Sequence, residues 1–245
     1  MSSLMKHRWL FVMMVTVLLA MFATACMTSP SITGSSTTLT TTPPELTCSI
    51  PGPRVVIYAG DSLVGQWPQY MQLPIGSIAY NTAKGGAGFT AVNPEYNIGA
   101  RLLRQLDVCD NNVGMVIVSG GINDLAVDQP VQGLIDAVAS LSAELASRGV
   151  RVVWLPITPF ALYPPSLSYD HRYDSRLEYN AWLSSGGVVG DIIDCNPSLR
   201  DAYSAVEALN PNYWSYTPGV DRWHPNQAGY RAFASCLSPA IAALP

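Results

Sequence analysis

A serine, an aspartate and a histidine stand in two short motifs far apart in the chain. Ser62 ends Gly-Asp-Ser62, and Asp221 and His224 lie in Asp221-Arg-Trp-His224. A serine hydroxyl is a weak nucleophile at neutral pH. It becomes reactive when a histidine within hydrogen-bond reach takes its proton and a carboxylate holds that histidine in the correct tautomer. Together these side chains could attack a carbonyl carbon and form an acyl intermediate.

The choice of base among the three histidines of the chain favours His224. His7 lies in the N-terminal leader, and His171 lies in a polar stretch that we interpret as surface or rim. His224 follows Asp221 by three residues on one predicted loop, which suits a base with its carboxylate partner. Asp61 is a less suitable partner, because its side chain should diverge from that of the adjacent Ser62. We interpret it as a turn residue.

The elements that must position these residues alternate between strands and helices. Apolar, β-branched runs predict five strands, at residues 55–59, 78–80, 115–118, 150–155 and, for the fifth, 188–189 with 192–193. Helical spacing predicts helices at residues 130–148, around 101–106 and at 226–243, and residues 158–174 are predicted as a long connection. This alternation indicates a parallel sheet covered on both faces. Ligands bind beyond the carboxyl ends of such strands, where Ser62 and Asn123 both fall.

Four motifs in chain order resemble those of the SGNH, or GDSL, hydrolase family. They are Gly60-Asp61-Ser62, Asn81-Thr-Ala-Lys-Gly85-Gly86, Gly121-Ile-Asn123-Asp124 and Asp221-Arg-Trp-His224-Pro225. Each motif alone is unspecific, whereas the ordered set is distinctive. The resemblance extends over the globular part of the chain, from Val55 to the last predicted helix.

The resemblance implies a fold and a set of roles. The expected fold is an α/β class three-layer α/β/α sandwich around a flavodoxin-like, parallel five-stranded sheet. Ser62 is expected to be the nucleophile, with Asp221 and His224 completing the triad. The backbone amides of Ser62 and Gly86 and the side chain of Asn123 are expected to form the oxyanion hole. Gly85 and Gly88 are alternatives to Gly86.

Three functions are compatible with this reading of the sequence. The first is a serine hydrolase of carboxylic esters, such as short-chain acyl esters or acetylated carbohydrate and lipid esters. The second is an acyltransferase that modifies cell-envelope glycans through the same triad. The third is a non-catalytic envelope-binding lipoprotein that keeps the fold. We expect no cofactor, and no metal, because the histidines and carboxylates lack the spacing of metal ligands.

The first 47 residues predict export of the protein. A basic start and an apolar run suggest a signal peptide over residues 1–25. Small residues before Cys26 resemble a bacterial lipobox, so Cys26 is a candidate for lipidation and for attachment to a membrane. Plain secretion is the alternative. Residues 26–47 are rich in Ser, Thr and Pro and predict a flexible tether, followed by a single hydrolase domain over residues 48–245.

The remaining four cysteines agree with an extracytoplasmic location, where disulfides persist. In the flavodoxin-like order, the starts of the first and third strands are neighbours. We therefore predict a disulfide between Cys48 and Cys109, and we predict a second between Cys195 and Cys236. Free buried cysteines are the alternative. A formal net charge of -4, without a basic run after the leader, argues against nucleic acid as a partner. We expect a monomer that acts on an ester substrate.

Overall fold

The computed structural model describes residue 48 and residues 52–127, 129–160, 171–202, 208–214 and 223–244. The predicted signal peptide, Cys26, the tether and Asp221 lie outside the described residues. None of the helices within these ranges has the length and apolar character needed to cross a membrane.

Five parallel strands form a single sheet in the order β2-β1-β3-β4-β5. The strands are β1 (Gly52–Gly60), β2 (Ile78–Asn81), β3 (Val113–Ser119), β4 (Val152–Leu155) and β5 (Asp191–Ile192). Val55 to Ala59 are all buried, although successive side chains of a strand point to opposite faces. Both faces of the sheet are therefore covered, and the predicted α/β fold is confirmed.

Five α-helices accompany the sheet within the described ranges. They are α1 (Ile98–Val108), α2 (Ile122–Ala126), α3 (Val131–Ser147), α4 (His171–Trp182) and α5 (Gln227–Ala242). The predicted apolar stripe of α3 is buried at Leu134, Val138, Leu141 and Leu145. This 3-to-4-residue spacing keeps one helix face against the core. The predicted helices near residues 101–106, 130–148 and 226–243 are thus confirmed with small shifts of their ends.

The fifth strand differs from the prediction. It comprises Asp191–Ile192, whereas Val188 and Val189 lie outside it. Val189 is 62% exposed, and its backbone amide donates to the Ser142 hydroxyl at 2.7 Å. The prediction was wrong because two adjacent valines suggested a strand, whereas here a tertiary hydrogen bond to α3 holds the backbone in a bend.

Helix α4 was also missed, because residues 158–174 were predicted as a connection and α4 already begins at His171. The buried face of α4 carries Arg176 and Tyr179, which no apolar pattern reveals. Asn180 on the same helix accepts from the Ile157 amide at 2.8 Å and donates to the Ile157 carbonyl at 2.9 Å. Polar side chains thus satisfy the backbone just beyond the end of β4.

Both predicted disulfides are present. Cys48 is joined to Cys109, which follows α1, and Cys195 is joined to Cys236 of α5. The second bond ties the segment after β5 to the C-terminal helix across 41 residues. Such a bond restricts the unfolded chain and thereby raises the free energy of unfolding.

We predict that replacing Cys195 and Cys236 together by alanine lowers the free energy of unfolding by about 2–4 kcal/mol. Denaturant titration of both proteins measures the difference. Reduction of the parent protein should produce a loss in the same direction. A double variant as stable as the parent would show that this disulfide contributes nothing to the free energy of unfolding.

Candidate active site

The turn that carries Ser62 begins where β1 ends. A Cβ atom on Gly60 would collide with the Ser119 carbonyl and the Val64 side chain, so glycine allows β1 and β3 to remain close up to this point. The Asp61 carboxylate then accepts the Leu63 amide at 2.9 Å. This contact spans Ser62 and closes the turn around it, which agrees with the turn role predicted for Asp61.

His224 is held at the entrance of α5. The Asn226 side chain caps this helix by accepting the Gly229 amide at 3.1 Å, and the Asn226 backbone amide donates to the Tyr213 carbonyl at 2.7 Å. Pro225 pairs with Trp214 through an antiparallel bridge. The backbone on the C-terminal side of His224 is therefore attached both to α5 and to the 208–214 segment.

Ser62 and His224 meet in a short hydrogen bond. Their atoms Oγ and Nε2 are 2.6 Å apart, although 162 residues separate them in sequence. The bond is partly buried, which limits competition by water. The structure thus brings together two of the three residues predicted to form the triad, and the third, Asp221, lies outside the described residues.

A glycine-rich segment lies between Ser62 and Asn123. A Cβ placed on Gly85 would stand 4.0 Å from the Ser62 Cβ, and Asn123 Nδ2 donates to the Ala87 carbonyl at 2.8 Å. Gly121 precedes α2 with a φ of 109°, a conformation that glycine adopts readily. The Asn123 amide carries a second hydrogen beyond the one donated to Ala87, so it retains a donor for a ligand.

The same segment is braced by Asp124. Its buried carboxylate accepts the Phe89 amide at 3.0 Å, the Thr90 amide at 2.8 Å and the Thr90 hydroxyl at 2.6 Å. These bonds connect α2 to the loop after Gly88. A Cβ on Gly88 would lie 2.7 Å from this carboxylate. The absence of a side chain at Gly88 therefore allows the loop to approach Asp124 this closely.

Asp61 is a second buried carboxylate, and it is only partly satisfied. It is 1% exposed, and its Oδ2 atom has no hydrogen-bond partner among the described residues. Burial raises the pKa of Asp61 to about 7, with the charge of Asp124 acting in the same direction against the Leu63 amide and His224. A carboxyl group with such a pKa is substantially protonated near neutral pH.

Two aromatic residues near the site have different surroundings. Trp67 is buried against Tyr58 and Phe233. Tyr96, which no sequence signal identified, places its ring 3.9 Å from the position that a Cβ on Gly86 would occupy.

Within the described ranges, no three His, Cys, Asp or Glu residues are grouped so that they could hold a metal ion.

We predict that Asp61→Asn changes how stability depends on pH. The pKa of Asp61 is about 7 in the folded protein and 3.8 in the unfolded chain. Between pH 3.8 and 7, the carboxyl group is therefore protonated in the native state and ionised in the unfolded state. The free energy of unfolding of the parent should therefore fall as pH rises from about 4 to 7, by up to about 1.4 kcal/mol per pH unit from this group. Asparagine has no proton to lose, so the variant should gain stability relative to the parent over this range.

Urea titrations at pH 4.5, 6 and 7.5 measure this difference. Asp136→Asn, at an exposed position of α3, is the control for removal of a carboxylate. A constant difference between parent and Asp61→Asn across the three pH values would mean that the Asp61 carboxyl does not titrate above its unfolded pKa.

Comparisons with known proteins agree with this fold. The model of the GDSL-like lipase/acylhydrolase family matches residues 34–232. A GDSL-like lipase from Bacteroides thetaiotaomicron has a similar structure, with a TM-score of 0.57, 18% identity and coverage of 78% of this chain and 88% of that one. A G-D-S-L family lipolytic protein from Veillonella parvula matches with a TM-score of 0.52 and 14% identity. The match covers 78% of this chain and 99% of that one.

The same fold also occurs in the OSK domain of Drosophila Oskar, with a TM-score of 0.55, 12% identity and coverage of 75% of this chain and 86% of that domain. No curated protein matches the sequence. Identities this low show a shared fold alone, whereas the family match covers most of the chain. The chain therefore belongs to the GDSL-like lipase/acylhydrolase family, and it is a hydrolase.

Proposed function

We propose that this hydrolase cleaves carboxylic esters with short acyl groups, with Ser62 as its nucleophile and His224 as its general base. The observation that carries the proposal is the 2.6 Å hydrogen bond between Ser62 Oγ and His224 Nε2. A base at this distance accepts the hydroxyl proton as the oxygen attacks. Asp221, three residues before His224, is proposed to orient the imidazole.

The reaction proceeds in two halves. Ser62 Oγ attacks the ester carbonyl carbon while His224 Nε2 takes the hydroxyl proton, and a tetrahedral intermediate forms. The intermediate collapses when His224 returns the proton to the leaving alcohol oxygen, and an acyl-enzyme remains. A water molecule, deprotonated by His224, then attacks the acyl carbon and forms a second tetrahedral intermediate. His224 returns the proton to Ser62 Oγ as this oxygen leaves, which releases the acid and the free serine.

Negative charge develops on the carbonyl oxygen in both halves. We propose the backbone amides of Ser62 and Gly86 and the side-chain amide of Asn123 as the donors that stabilise it. Asn123 is held in place by its bond to the Ala87 carbonyl, and the 85–87 segment adjoins Ser62. Fixed donors need no reorganisation as the charge appears, and each one typically contributes about 100- to 1,000-fold in rate.

We predict that Ser62→Ala lowers kcat/KM for p-nitrophenyl acetate by about 10,000-fold or more, because no other described group replaces the nucleophile. Ester series from acetate to decanoate, followed at 405 nm, measure both the loss and the preference for acyl length. We expect the acetate and butyrate esters to be the best substrates.

Ser185→Ala is the matched control, because Ser185 is an exposed serine whose hydroxyl bonds only the Trp182 carbonyl among the described residues. A fluorophosphonate probe should label the parent and this control but not Ser62→Ala. Turnover by Ser62→Ala at the parental rate would disprove the proposed nucleophile.

We further propose that the protein acts outside the cytoplasm, anchored through a lipid on Cys26. The two disulfides are consistent with an oxidising compartment. Residues 1–25 would then be removed as a signal peptide, and residues 26–47 would connect the anchor to the hydrolase domain.

We predict that the mature protein from its native host begins at Cys26 and carries acyl chains there, because the lipidated cysteine of a lipobox becomes the N-terminal residue when the signal peptide is removed. Mass spectrometry of the mature N-terminal peptide measures this directly. Cys26→Ser should remove the lipid mass and release the protein from membranes. An unmodified N-terminus would support plain secretion instead.

A further inference from the structure

Lys84 is the only lysine of the chain apart from Lys6, whereas the chain contains eleven arginines. It lies in the segment that leads from β2 to Gly86. Its backbone amide donates to the Gly60 carbonyl at 3.1 Å, and its carbonyl accepts the Ala87 amide at 3.1 Å. The Lys84 backbone is thus attached to Gly60, the last residue of β1, which lies two residues before Ser62.

The Lys84 ammonium lies over the Tyr96 ring, with 4.3 Å between Nζ and the ring centroid. This distance is typical of a cation–π contact, which restrains the position of the ammonium. The same ring adjoins Gly86 and is 43% exposed. Gly85 therefore lies beside Ser62, and Gly86 lies beside the Tyr96 ring that contacts the ammonium.

The donors of this ammonium are unused within the described part of the chain. No carboxylate there lies within ion-pair distance of Lys84 Nζ, and no hydrogen bond satisfies it. The nearby Glu95 is shared by Arg104 at 2.6 Å and Arg101 at 3.5 Å. The Arg104 hydrogen bond holds the pKa of Glu95 below its ordinary value, and the charges of Arg101 and Lys84 act in the same direction.

Arg101 and Arg104 thus pair with a single carboxylate, on which the charge of Lys84 also acts, although the chain as a whole has a formal net charge of -4. An ammonium is a compact charge with three donors, and it binds carboxylates, phosphates and sulfates through charge-assisted hydrogen bonds. An aromatic face next to it can cover the apolar or sugar portion that links such an anion to the ester.

We propose that Lys84 and Tyr96 form a subsite for an anionic group carried by the ester substrate. This inference rests on the proposed esterase function. Lys84 binds the anion, Tyr96 packs against the intervening part of the substrate, and the ester carbonyl reaches Ser62. The enzyme therefore prefers anionic esters over neutral esters of the same length.

Matched pairs of esters test the preference. On the acyl side, the p-nitrophenyl monoesters of succinic, glutaric and adipic acid are compared with the butyrate, valerate and hexanoate esters. On the alcohol side, 4-acetoxybenzoate is compared with its methyl ester. The measured quantity is the ratio of kcat/KM between the anionic and the neutral member of each pair, at low and high NaCl.

We expect the ratio for at least one pair to fall about three- to ten-fold in Lys84→Gln, because a partly exposed charge contact contributes modestly to binding. In the parent, the ratio should also fall with added salt, because salt screens the charge of Lys84. Lys84→Arg should retain the ratio. Arg54→Gln, which removes the same charge from the opposite end of β1, should leave it unchanged. A ratio that Lys84→Gln does not alter, or that Arg54→Gln lowers equally, would overturn the inference.

A binding measurement separates this inference from the proposed function. Because Lys84 is the only lysine beyond Lys6, its rate of modification by trinitrobenzenesulfonate can be followed by peptide mass. In Ser62→Ala, the anionic ester should slow this reaction and its neutral counterpart should not. If the parent cleaves esters but the anionic ester does not protect Lys84 in Ser62→Ala, the subsite alone is contradicted. If the parent cleaves no ester, the proposed function is contradicted.

Discussion

A parallel sheet brings the carboxyl ends of its strands to a single edge, and the hydrogen bond between Ser62 and His224 depends on that constraint. Strands β1 and β3 are paired as far as Gly60 and Ser119, so the turn after each starts at the same level. Ser62 follows one of these strands and Asn123 the other. His224 comes from no strand, and reaches this edge because Asn226 and Pro225 attach the start of α5 to the 208–214 segment.

Two buried carboxylates hold the loops of this edge in place. Asp124 accepts three hydrogen bonds and joins α2 to the loop after Gly88, which offsets the cost of removing its charge from water. Asp61 accepts one hydrogen bond and leaves one buried oxygen without a partner in the described chain. Burial raises the pKa of Asp61 to about 7, so its neutral form persists to a higher pH than that of an exposed aspartate. Both carboxyl groups are buried, but Asp124 accepts three hydrogen bonds through its side chain and Asp61 accepts one.

The charges around the edge are distributed unevenly. Among the described residues, Asp61 and Asp124 are buried, whereas Lys84 and Arg104 are more exposed and Glu95 pairs with Arg101 and Arg104. An approaching ester would therefore meet positive potential from Lys84 beside the glycine segment. The two disulfides lie on other parts of the fold, one after α1 and one at α5, and contribute stability without entering this edge.

Much of the fold was predictable from local pattern. The β-branched runs of β1, β3 and β4 and the apolar stripe of α3 indicated the parallel α/β class. Those elements bury apolar side chains, which is what periodicity detects. Helix α4 escaped prediction because its buried face carries Arg176 and Tyr179, and β5 was misplaced because Val189 bonds Ser142 instead of a strand.

The amino-acid sequence by itself determined the family, the residue types at the site and the candidates Ser62, Asn123 and His224, because short motifs in a set order carry that information. Only the tertiary structure decided that Ser62 and His224 are 2.6 Å apart, that Asp124 braces a loop other than its own, and that Lys84 lies over Tyr96. These contacts join segments that lie apart in the chain, and their distances follow from how the strands, loops and helices pack rather than from any local pattern.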